Sequence, residues 1–374
     1  MRSRSVRGAP PNTQLAWMLD DGARFSGQRL RLARQYRGFT QLELVSAADG
    51  LVSGPAISQY ENGQTWLPGT PIIAKLSEVL GFDPSFFFPQ EPQRDLPEVM
   101  PFFRKQRGYR ARDMEAISAR AQLARLVARS LGAMSGAAPA SIPRHALKSL
   151  APGAIERASE QTRRDWNVGF GPISDVVHLL ESHGAIVLRA SHETNAVDAC
   201  CVNFEDRPVI VLRRATADPL RSRFDVAHEL GHLVLHTERT KAKSLLETEA
   251  ERFASAFLMP ARPLRSALPA VPNADELARL RVHWGVPFEA LIRRARELGL
   301  WTPSQCDRVG VDLRARGWLP IEPHWYGPFG AERPDRLHRC LEAVQSRGET
   351  MESIQRRVGL TPHGLQELTG WSLA

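Results

Sequence analysis

The chain has 374 residues, of which 43% are hydrophobic and 24% are charged, a composition typical of a folded protein with a buried core. Lysine and arginine outnumber aspartate and glutamate by 49 to 41, so the formal net charge of +8 permits contact with nucleic acid without requiring it. The four cysteines form neither a C-x-x-C pair nor a disulfide framework, and no apolar run approaches the ~20 residues of a membrane span. We therefore expect a cytoplasmic protein that does not insert into a membrane.

The first predicted module, residues 24–92, consists of short helices separated by glycines. SGQRLRLARQYRG has apolar residues at helical spacing and ends at Gly38. Thr40 and Glu43 then form the capping-box pattern that begins a second helix, and SGPAISQYENG and TPIIAKLSEVL supply two more. Helix-turn-helix packing of this size is typical of modules that read DNA.

The segments RLARQYRGFTQLEL and AISQYENG resemble the XRE-type, or lambda-repressor-like, helix-turn-helix domain. The resemblance implies that the helix beginning near Gly54 is the recognition helix, and that Gln41, Ser58, Gln59 and Asn62 contact DNA. That helix contains no lysine or arginine, and the turn before it is longer than in the family. Because phosphate contacts dominate affinity, we expect weak DNA binding or binding as a homodimer, with a protein-interaction module as the alternative.

Three further segments follow. Residues 93–145 contain an amphipathic helix from Arg112 and a stretch rich in Gly, Ala, Ser and Pro, which together predict a helical linker. Residues 146–268 combine helices with apolar strands, including a hairpin in DACCVNFEDRPVIVLRR. Residues 269–374 form a mostly helical C-terminal region, in which TMESIQRRVGLTPHGLQELTGW has the outline of a second helix-turn-helix. The predicted fold class is α+β, with an all-α N-terminal domain.

The stretch VAHELGHLVLH carries three histidines and one glutamate in an apolar helix. His228 and His232 are four residues apart, so they share a helix face and lie about 6 Å apart along the axis, within reach of one zinc ion. Glu229 can then accept a proton from the attacking water and pass it to the leaving amine. His236 lies ~12 Å from His228 along a straight helix, too far to share the ion, so we expect it to cap the helix or hydrogen-bond within the domain. Gly231 is expected to leave open backbone beside the site.

The third ligand is predicted in the acidic helix ETEAERFASAFLMP. Glu247, Glu249 and Glu251 are all candidates. Glu247 and Glu251 share a helix face, so we assign Glu247 as the ligand. Glu251 is assigned as the acid that accepts the N–H of a ligating histidine and fixes its tautomer. Glu249 points away from both and is expected to be solvated.

RFDVAHELGHLVLH followed by ETEAERFASAFLMP resembles the ImmA/IrrE family of metallopeptidases, over roughly residues 170–262. The resemblance implies a gluzincin-like α+β fold and a zinc ion (Zn2+) held by His228, His232 and Glu247. It also implies site-specific cleavage of a repressor protein, often a DNA-binding one, in response to stress. The order of helix-turn-helix first and peptidase second is similar to the family members that carry an XRE-type domain.

The sequence therefore predicts a DNA-binding regulator with a zinc-dependent endopeptidase domain that cleaves a repressor protein. The alternatives are a transcriptional regulator whose zinc domain is a non-catalytic sensor or scaffold, and an antitoxin-like module paired with a toxin. If the domain is a peptidase, the strand in DACCVNF is the sheet edge to which an extended substrate adds, beside Asp198, Cys200 and Asn203. Tyr326 and His324 are candidates for hydrogen-bond donors to the oxyanion.

Overall fold

The computed structural model describes residues 24–64, 67–89, 102–103, 111–136, 138–145, 153–190, 199–204, 206–212, 218–236, 242–324 and 327–372. The chain divides into two compact units. Unit 1 comprises Met1–Met100, Gly108–Ala137 and Leu337–Ala374, and unit 2 comprises Pro101–Arg107 and Ala138–Arg336. Within the described ranges, none of the helices has the length and apolar character needed to cross a membrane.

Helices make up most of the described residues, and a small sheet accompanies them. The helices are α1 (Gly27–Tyr36), α2 (Gln41–Ala47), α3 (Gly54–Glu61), α4 (Thr70–Leu80), α5 (Ala111–Ser135), α6 (Ala154–Asp165), α7 (Val176–Ser182), α8 (Pro219–Leu235), α9 (Lys243–Leu258), α10 (Ala261–Ala267), α11 (Ala274–Trp284), α12 (Phe288–Glu297), α13 (Pro303–Ala315), α14 (Arg336–Gln345), α15 (Met351–Val358) and α16 (Pro362–Thr369). The strands are β1 (Phe102–Phe103), β2 (Ile186–Arg189), β3 (Ala199–Asn203) and β4 (Pro208–Leu212). This α+β architecture confirms the predicted fold class.

The predicted helix-turn-helix module is present in unit 1 as α1 to α4. The capping box of α2 is formed, because Thr40 Oγ1 accepts the Glu43 N–H at 3.1 Å and the Glu43 carboxylate accepts the Thr40 N–H at 2.7 Å. Helix α4 ends at Gly81, whose φ of 70° is in the left-handed region that glycine adopts without strain. Local sequence signals therefore determine where these helices begin and end.

The helices α5, α15 and α16 also belong to unit 1. Helix α5, predicted as part of a linker, packs against α1. Gly359 joins α15 to α16 with a φ of 78°, and a Cβ on it would come within 2.7 Å of Phe86 Cα. The neighbouring Leu360 forms an isolated antiparallel bridge with Phe82. Residues 337–372 thus form part of the core around the helix-turn-helix module, whereas residues 269–336 lie in unit 2. The residue ranges of the four predicted domains themselves stay predictions.

The sheet of unit 2 has the strand order β1-β3-β4-β2. The predicted hairpin is present, with β3 and β4 antiparallel and Asn203 opposite Pro208. Strand β2 is parallel to β4. The expectation that β3 forms the sheet edge is wrong where β1 pairs with it, since Phe102 lies opposite Cys201 and Phe103 opposite Cys200. A strand of two residues is too short to leave a periodic signal in the sequence.

Helix α8 lies in the centre of unit 2 and is buried along its length from Ser222 to Leu235. It packs against β3 and β4 and against α9. Val226, Leu230 and Val234 of α8 join the main hydrophobic core of the unit. Polar side chains on such a helix need partners, because an uncompensated buried polar group is costly. The polar side chains of α8 must therefore find their partners among the strands and helices that pack against it.

Arg223 anchors the N-terminal half of α8 through hydrogen bonds and an ion pair. Its fully buried guanidinium donates hydrogen bonds to the carbonyl oxygens of Ser174 and Gly285, each at 3.1 Å. It also pairs with the buried carboxylate of Glu332 and lies over the Phe329 ring, 4.2 Å from its centroid. A buried charge is tolerated only when it is paired and hydrogen-bonded in this way. These contacts fix α8 with respect to the loops around it.

Candidate metal centre

Three predicted ligands converge between α8 and α9. The Nε2 atoms of His228 and His232 lie 3.1 Å apart. The carboxylate of Glu247 reaches them from α9, with Oε2 at 3.3 Å from His228 Nε2 and Oε1 at 3.7 Å from His232 Nε2. Both histidines are buried. One ligand atom from each residue lies within 4.8 Å of the others, so a single metal ion can be reached by all three.

The donor set and its spacing fit zinc. Two ligands held at ~2.0–2.1 Å by one tetrahedral zinc ion are about 3.3 Å apart, close to the separations observed here. Oε2 of Glu247 and Oε2 of Glu229 are buried and have no hydrogen-bond partner among the described residues. A buried carboxylate oxygen without a partner is costly, and a bound cation would remove that cost. Two imidazoles and one carboxylate are also a common ligand set of zinc.

Glu229 follows the first ligand on α8 and is 2% exposed. Burial raises the pKa of Glu229 to about 8, hydrogen bonds from the side chain and backbone of Cys201 lower it, and the charges of Glu247 and Asp225 raise it. A group that exchanges protons near neutral pH is suited to general acid and base chemistry. The structure therefore places a carboxylate of suitable character next to the predicted ligands.

His236 and Glu249 extend the site beyond the three ligands. His236 is the C-cap residue of α8, as expected, and its Nδ1 lies 3.0 Å from Nδ1 of His232. Its Nε2 lies 2.9 Å from Oε2 of Glu249. The expectation that Glu249 is solvated is wrong, since the residue is 1% exposed. The spacing along α9 alone could not show this, because the partner of Glu249 is supplied by the end of α8.

Glu251 has a different neighbour from the one expected. Its carboxylate forms an ion pair with Arg293 on α12, with Oε1 2.6 Å from Nη1. The side chain of Glu251 is about one quarter exposed, at 26%. Its predicted part in fixing the tautomer of a ligating histidine stays a prediction.

Gly231 brings α8 and α9 close together, and the expectation that it leaves open backbone is wrong. A Cβ on Gly231 would lie 3.0 Å from both Cα and O of Ala250, and 3.2 Å from Cβ of Phe253. These atoms belong to the backbone or its first branch, so they cannot rotate away. The absence of a side chain at Gly231 therefore sets the distance at which Glu247 approaches the histidines.

We expect Gly231→Ala to lower both the free energy of unfolding, by about 1–3 kcal/mol, and the affinity for zinc, because α9 must move away from α8. Gly310 in α13 is a matched control. A Cβ there meets only the Arg314 side chain, at 3.7 Å, so Gly310→Ala should raise stability by up to ~1 kcal/mol. Chemical denaturation and zinc titration measure both quantities. A Gly231→Ala protein with the stability and zinc affinity of the wild type would contradict the close-packing argument.

The predicted DNA contacts lie on α2 and α3 of unit 1. Gln41 is the first residue of α2, Ser58 and Gln59 are in α3, and Asn62 is the C-cap residue of α3. The helix predicted to be the recognition helix begins at Gly54, as expected. Gln59 and Asn62 are exposed, and Gln41 and Ser58 are half-buried. Their contact with DNA stays a prediction.

Packing between α1 and α3 adds a residue that the sequence argument missed. Arg31 on α1 donates from Nη2 to Oδ1 of Asn62 at 2.7 Å, and its Nε lies 3.6 Å from the buried carboxylate of Glu61. Gln41 Nε2 donates to the same carboxylate at 2.9 Å. Arg31 thus brings a positive charge to a recognition helix that has none of its own. Only the tertiary contact shows this, because Arg31 precedes the recognition helix by more than a helix length.

Five further residues were predicted to contact the substrate or the oxyanion. Asp198 and Tyr326 lie outside the described residues. Cys200 is completely buried in β3, Asn203 is half-buried at the end of that strand, and His324 is exposed. The side chain of Cys200 is buried, and its backbone lies between β1 and β4, so a peptide could pair with Cys200 only in place of β1. The roles of all five stay predictions.

Two protein families match separate parts of the chain. Residues 27–90 match the family of the helix-turn-helix domain, and residues 180–296 match the family of the IrrE N-terminal-like domain. The chain therefore contains a region that matches each of the two domains, with the helix-turn-helix match first, as the sequence predicted. His228, Glu229, His232 and Glu247 all fall within the IrrE-like domain, and the four predicted DNA contacts fall within the helix-turn-helix domain. A comparison with curated proteins finds no match.

Proposed function

We propose that the IrrE-like domain is a zinc-dependent endopeptidase and that the helix-turn-helix domain binds DNA. The chain then acts as a regulator that cleaves a repressor protein. The convergence of His228, His232 and Glu247 beside the buried carboxylate of Glu229 carries the proposal. The match of residues 180–296 to the family of the IrrE N-terminal-like domain, a peptidase family, also supports it.

Each residue of the site has a separate role in the proposed reaction. A zinc ion bound by His228, His232 and Glu247 would supply a Lewis acid and lower the pKa of water. Glu229 takes a proton from the attacking water and returns it to the leaving amine. The hydrogen bonds from Cys201 hold the Glu229 carboxylate against β3. Because β1 already pairs with Cys200 and Cys201, a substrate strand has to replace β1 or pair farther along β3, next to Val202 and Asn203.

The experiment that tests the peptidase proposal has two parts. Metal analysis of the purified protein should give stoichiometric zinc. Co-expression with the products of neighbouring genes, followed by mass analysis, should show a new cleavage in a repressor protein. The Glu229→Gln protein serves as the comparison and should bind zinc without producing the cleavage. A wild-type protein without stoichiometric zinc refutes the proposal.

One observation favours the alternative of a non-catalytic sensor or scaffold. Glu229 and His232 are only 2% and 1% exposed, so a peptide cannot reach them without some opening of the site. On this alternative the zinc domain holds a ligand or a partner and cuts nothing. Regulation in cells would then be unchanged by Glu229→Gln, whereas the peptidase proposal requires its loss.

For the DNA-binding proposal, Gln59→Ala is expected to weaken the free energy of binding to a preferred sequence by about 1–3 kcal/mol, because an exposed amide can form hydrogen bonds with the edge of a base. Arg31→Ala should weaken binding similarly at all sequences and reduce the salt slope by about 1, as expected for a phosphate contact. Arg314→Ala, an exposed arginine of unit 2, is the control. Selection from random duplexes and titration at several salt concentrations measure these effects. A protein that binds no duplex, as monomer or homodimer, would instead favour the protein-interaction module.

A further inference from the structure

The ring of His232 has two nitrogens with different neighbours. Nε2 faces His228 Nε2 at 3.1 Å and the carboxylate of Glu247 at 3.7 Å, so it is the nitrogen that binds the metal ion. A nitrogen of a neutral imidazole that binds a metal carries no proton, so the proton is on Nδ1. Nδ1 lies 3.0 Å from Nδ1 of His236. His232 therefore donates this hydrogen bond and His236 accepts it.

The protonation of His236 follows from that bond. Because its Nδ1 accepts, a neutral His236 carries its proton on Nε2. Nε2 lies 2.9 Å from Oε2 of Glu249, so the ring donates to the carboxylate. The hydrogen bonds thus run in one direction, from His232 through His236 to Glu249. No other tautomer satisfies both contacts and leaves the metal-binding nitrogen of His232 free of a proton.

The side chains of all three residues are buried inside the domain. The side chains of His232 and His236 are each 1% exposed, and that of Glu249 is 2% exposed. A buried, charged acceptor strengthens the hydrogen bonds of such a chain, and water does not compete for them. The negative charge of the carboxylate also increases, through His236, the electron density and the basicity of the ligand nitrogen of His232.

We propose that Glu249, acting through His236, is a positioning residue that fixes the tautomer and the ring orientation of His232 and so raises the affinity of the site for zinc. Neither residue is a ligand, since neither is in the group of atoms that one ion can reach. The inference rests on the proposed zinc site and does not depend on which peptide is cut. It assigns to Glu249 the part that the sequence argument gave to Glu251.

The test is the dissociation constant of zinc, measured by competition with a chromophoric chelator. Glu249→Leu removes the acceptor and is expected to weaken zinc binding by about 10–100-fold. Glu249→Gln keeps an oxygen that accepts from His236 but removes the charge, so its dissociation constant should lie between that of the wild type and that of Glu249→Leu. His236→Phe keeps the ring and breaks the chain, and should match Glu249→Leu. The double variant should be no weaker than either single variant, because the two residues act as one unit.

Glu156→Gln is the control, since Glu156 is a carboxylate of the same unit that accepts hydrogen bonds from Arg294 through both oxygens, at 2.7 Å, and lies outside the metal site. It should leave zinc binding unchanged. If Glu249 has only a structural role, its variants should have a lower free energy of unfolding in the metal-free state and an unchanged affinity for zinc. That result would overturn the inference. Normal zinc affinity in Glu249→Gln and in the other variants overturns this inference and leaves the zinc site standing. Absence of zinc binding in the wild type overturns both this inference and the proposed function.

Discussion

Replacing Glu229 by glutamine is expected to lower kcat for peptide cleavage by about 10²–10⁴-fold, the contribution of a general acid and base. Glutamine has nearly the same shape, but it cannot accept the proton of the attacking water. The carboxylate is buried beside the ligands and is not one of them, so zinc stoichiometry should remain that of the wild type. Single-turnover cleavage of the repressor identified by co-expression measures the rate, and metal analysis measures the zinc.

Glu181→Gln is a matched control for this experiment. Glu181 is also buried in unit 2, and burial raises its pKa to about 8. Its Oε2 accepts the backbone N–H groups of Asp335 and Arg336, at 3.0 and 3.1 Å, away from the metal ligands. Both substitutions replace a buried carboxyl group by an amide, so only the position differs. Cleavage by the Glu229→Gln protein at the wild-type rate would rule out Glu229 as the general base.

Replacing Glu247 by alanine is expected to affect zinc binding strongly and the stability of the metal-free protein only weakly. The affinity for zinc should fall by more than the ~10–100-fold that loss of an outer contact costs, because a direct ligand is lost. The free energy of unfolding of the metal-free protein should change by less than ~1 kcal/mol, because the substitution removes the 3.3 Å contact with His228 together with a carboxylate oxygen that accepts no hydrogen bond. The first effect identifies the ligand, and the second separates loss of a ligand from loss of the fold.

Chelator competition and denaturation of the metal-free protein measure these two quantities. Thr248→Ala changes the next residue of α9, whose exposed hydroxyl bonds only back to the carbonyl of Ser244, at 2.9 Å, and it should leave zinc binding unaltered. Zinc affinity equal to that of the wild type in the Glu247→Ala protein would show that another group completes the site.

The parts of this site that follow from local spacing could be predicted from the sequence. The separation of His228 and His232 is determined by one turn of a helix, and the acidic motif on the next helix supplies Glu247. Glu249 could not be placed in this way. Its environment depends on where the end of α8 meets α9, which the periodicity of α9 alone does not contain. The same holds for Gly231, whose importance comes from the backbone of Ala250 in another helix.

A similar division applies to the fold. The capping box of Thr40 and Glu43, the glycine stop at Gly81 and the β3–β4 hairpin are short-range features, and the sequence predicted them. The pairing of β1 with β3 joins residues far apart in the chain through a strand of only two residues. The packing of α5 on α1 and the contact of Gly359 with Phe86 are also long-range, and no residue pattern near either position indicates its partner. Such contacts depend on the complete set of packed surfaces.

The contact between Gly359 and Phe86 has a consequence for the order in which the protein is completed during synthesis. Nearly all of unit 2 is translated between the helix-turn-helix module and the segment that packs against it. Domains tend to fold as they emerge from the ribosome. The metal centre can therefore form while Phe82 and Phe86 still lack the cover that Gly359 and Leu360 provide. A nascent chain would possess its IrrE-like domain before its helix-turn-helix unit is finished.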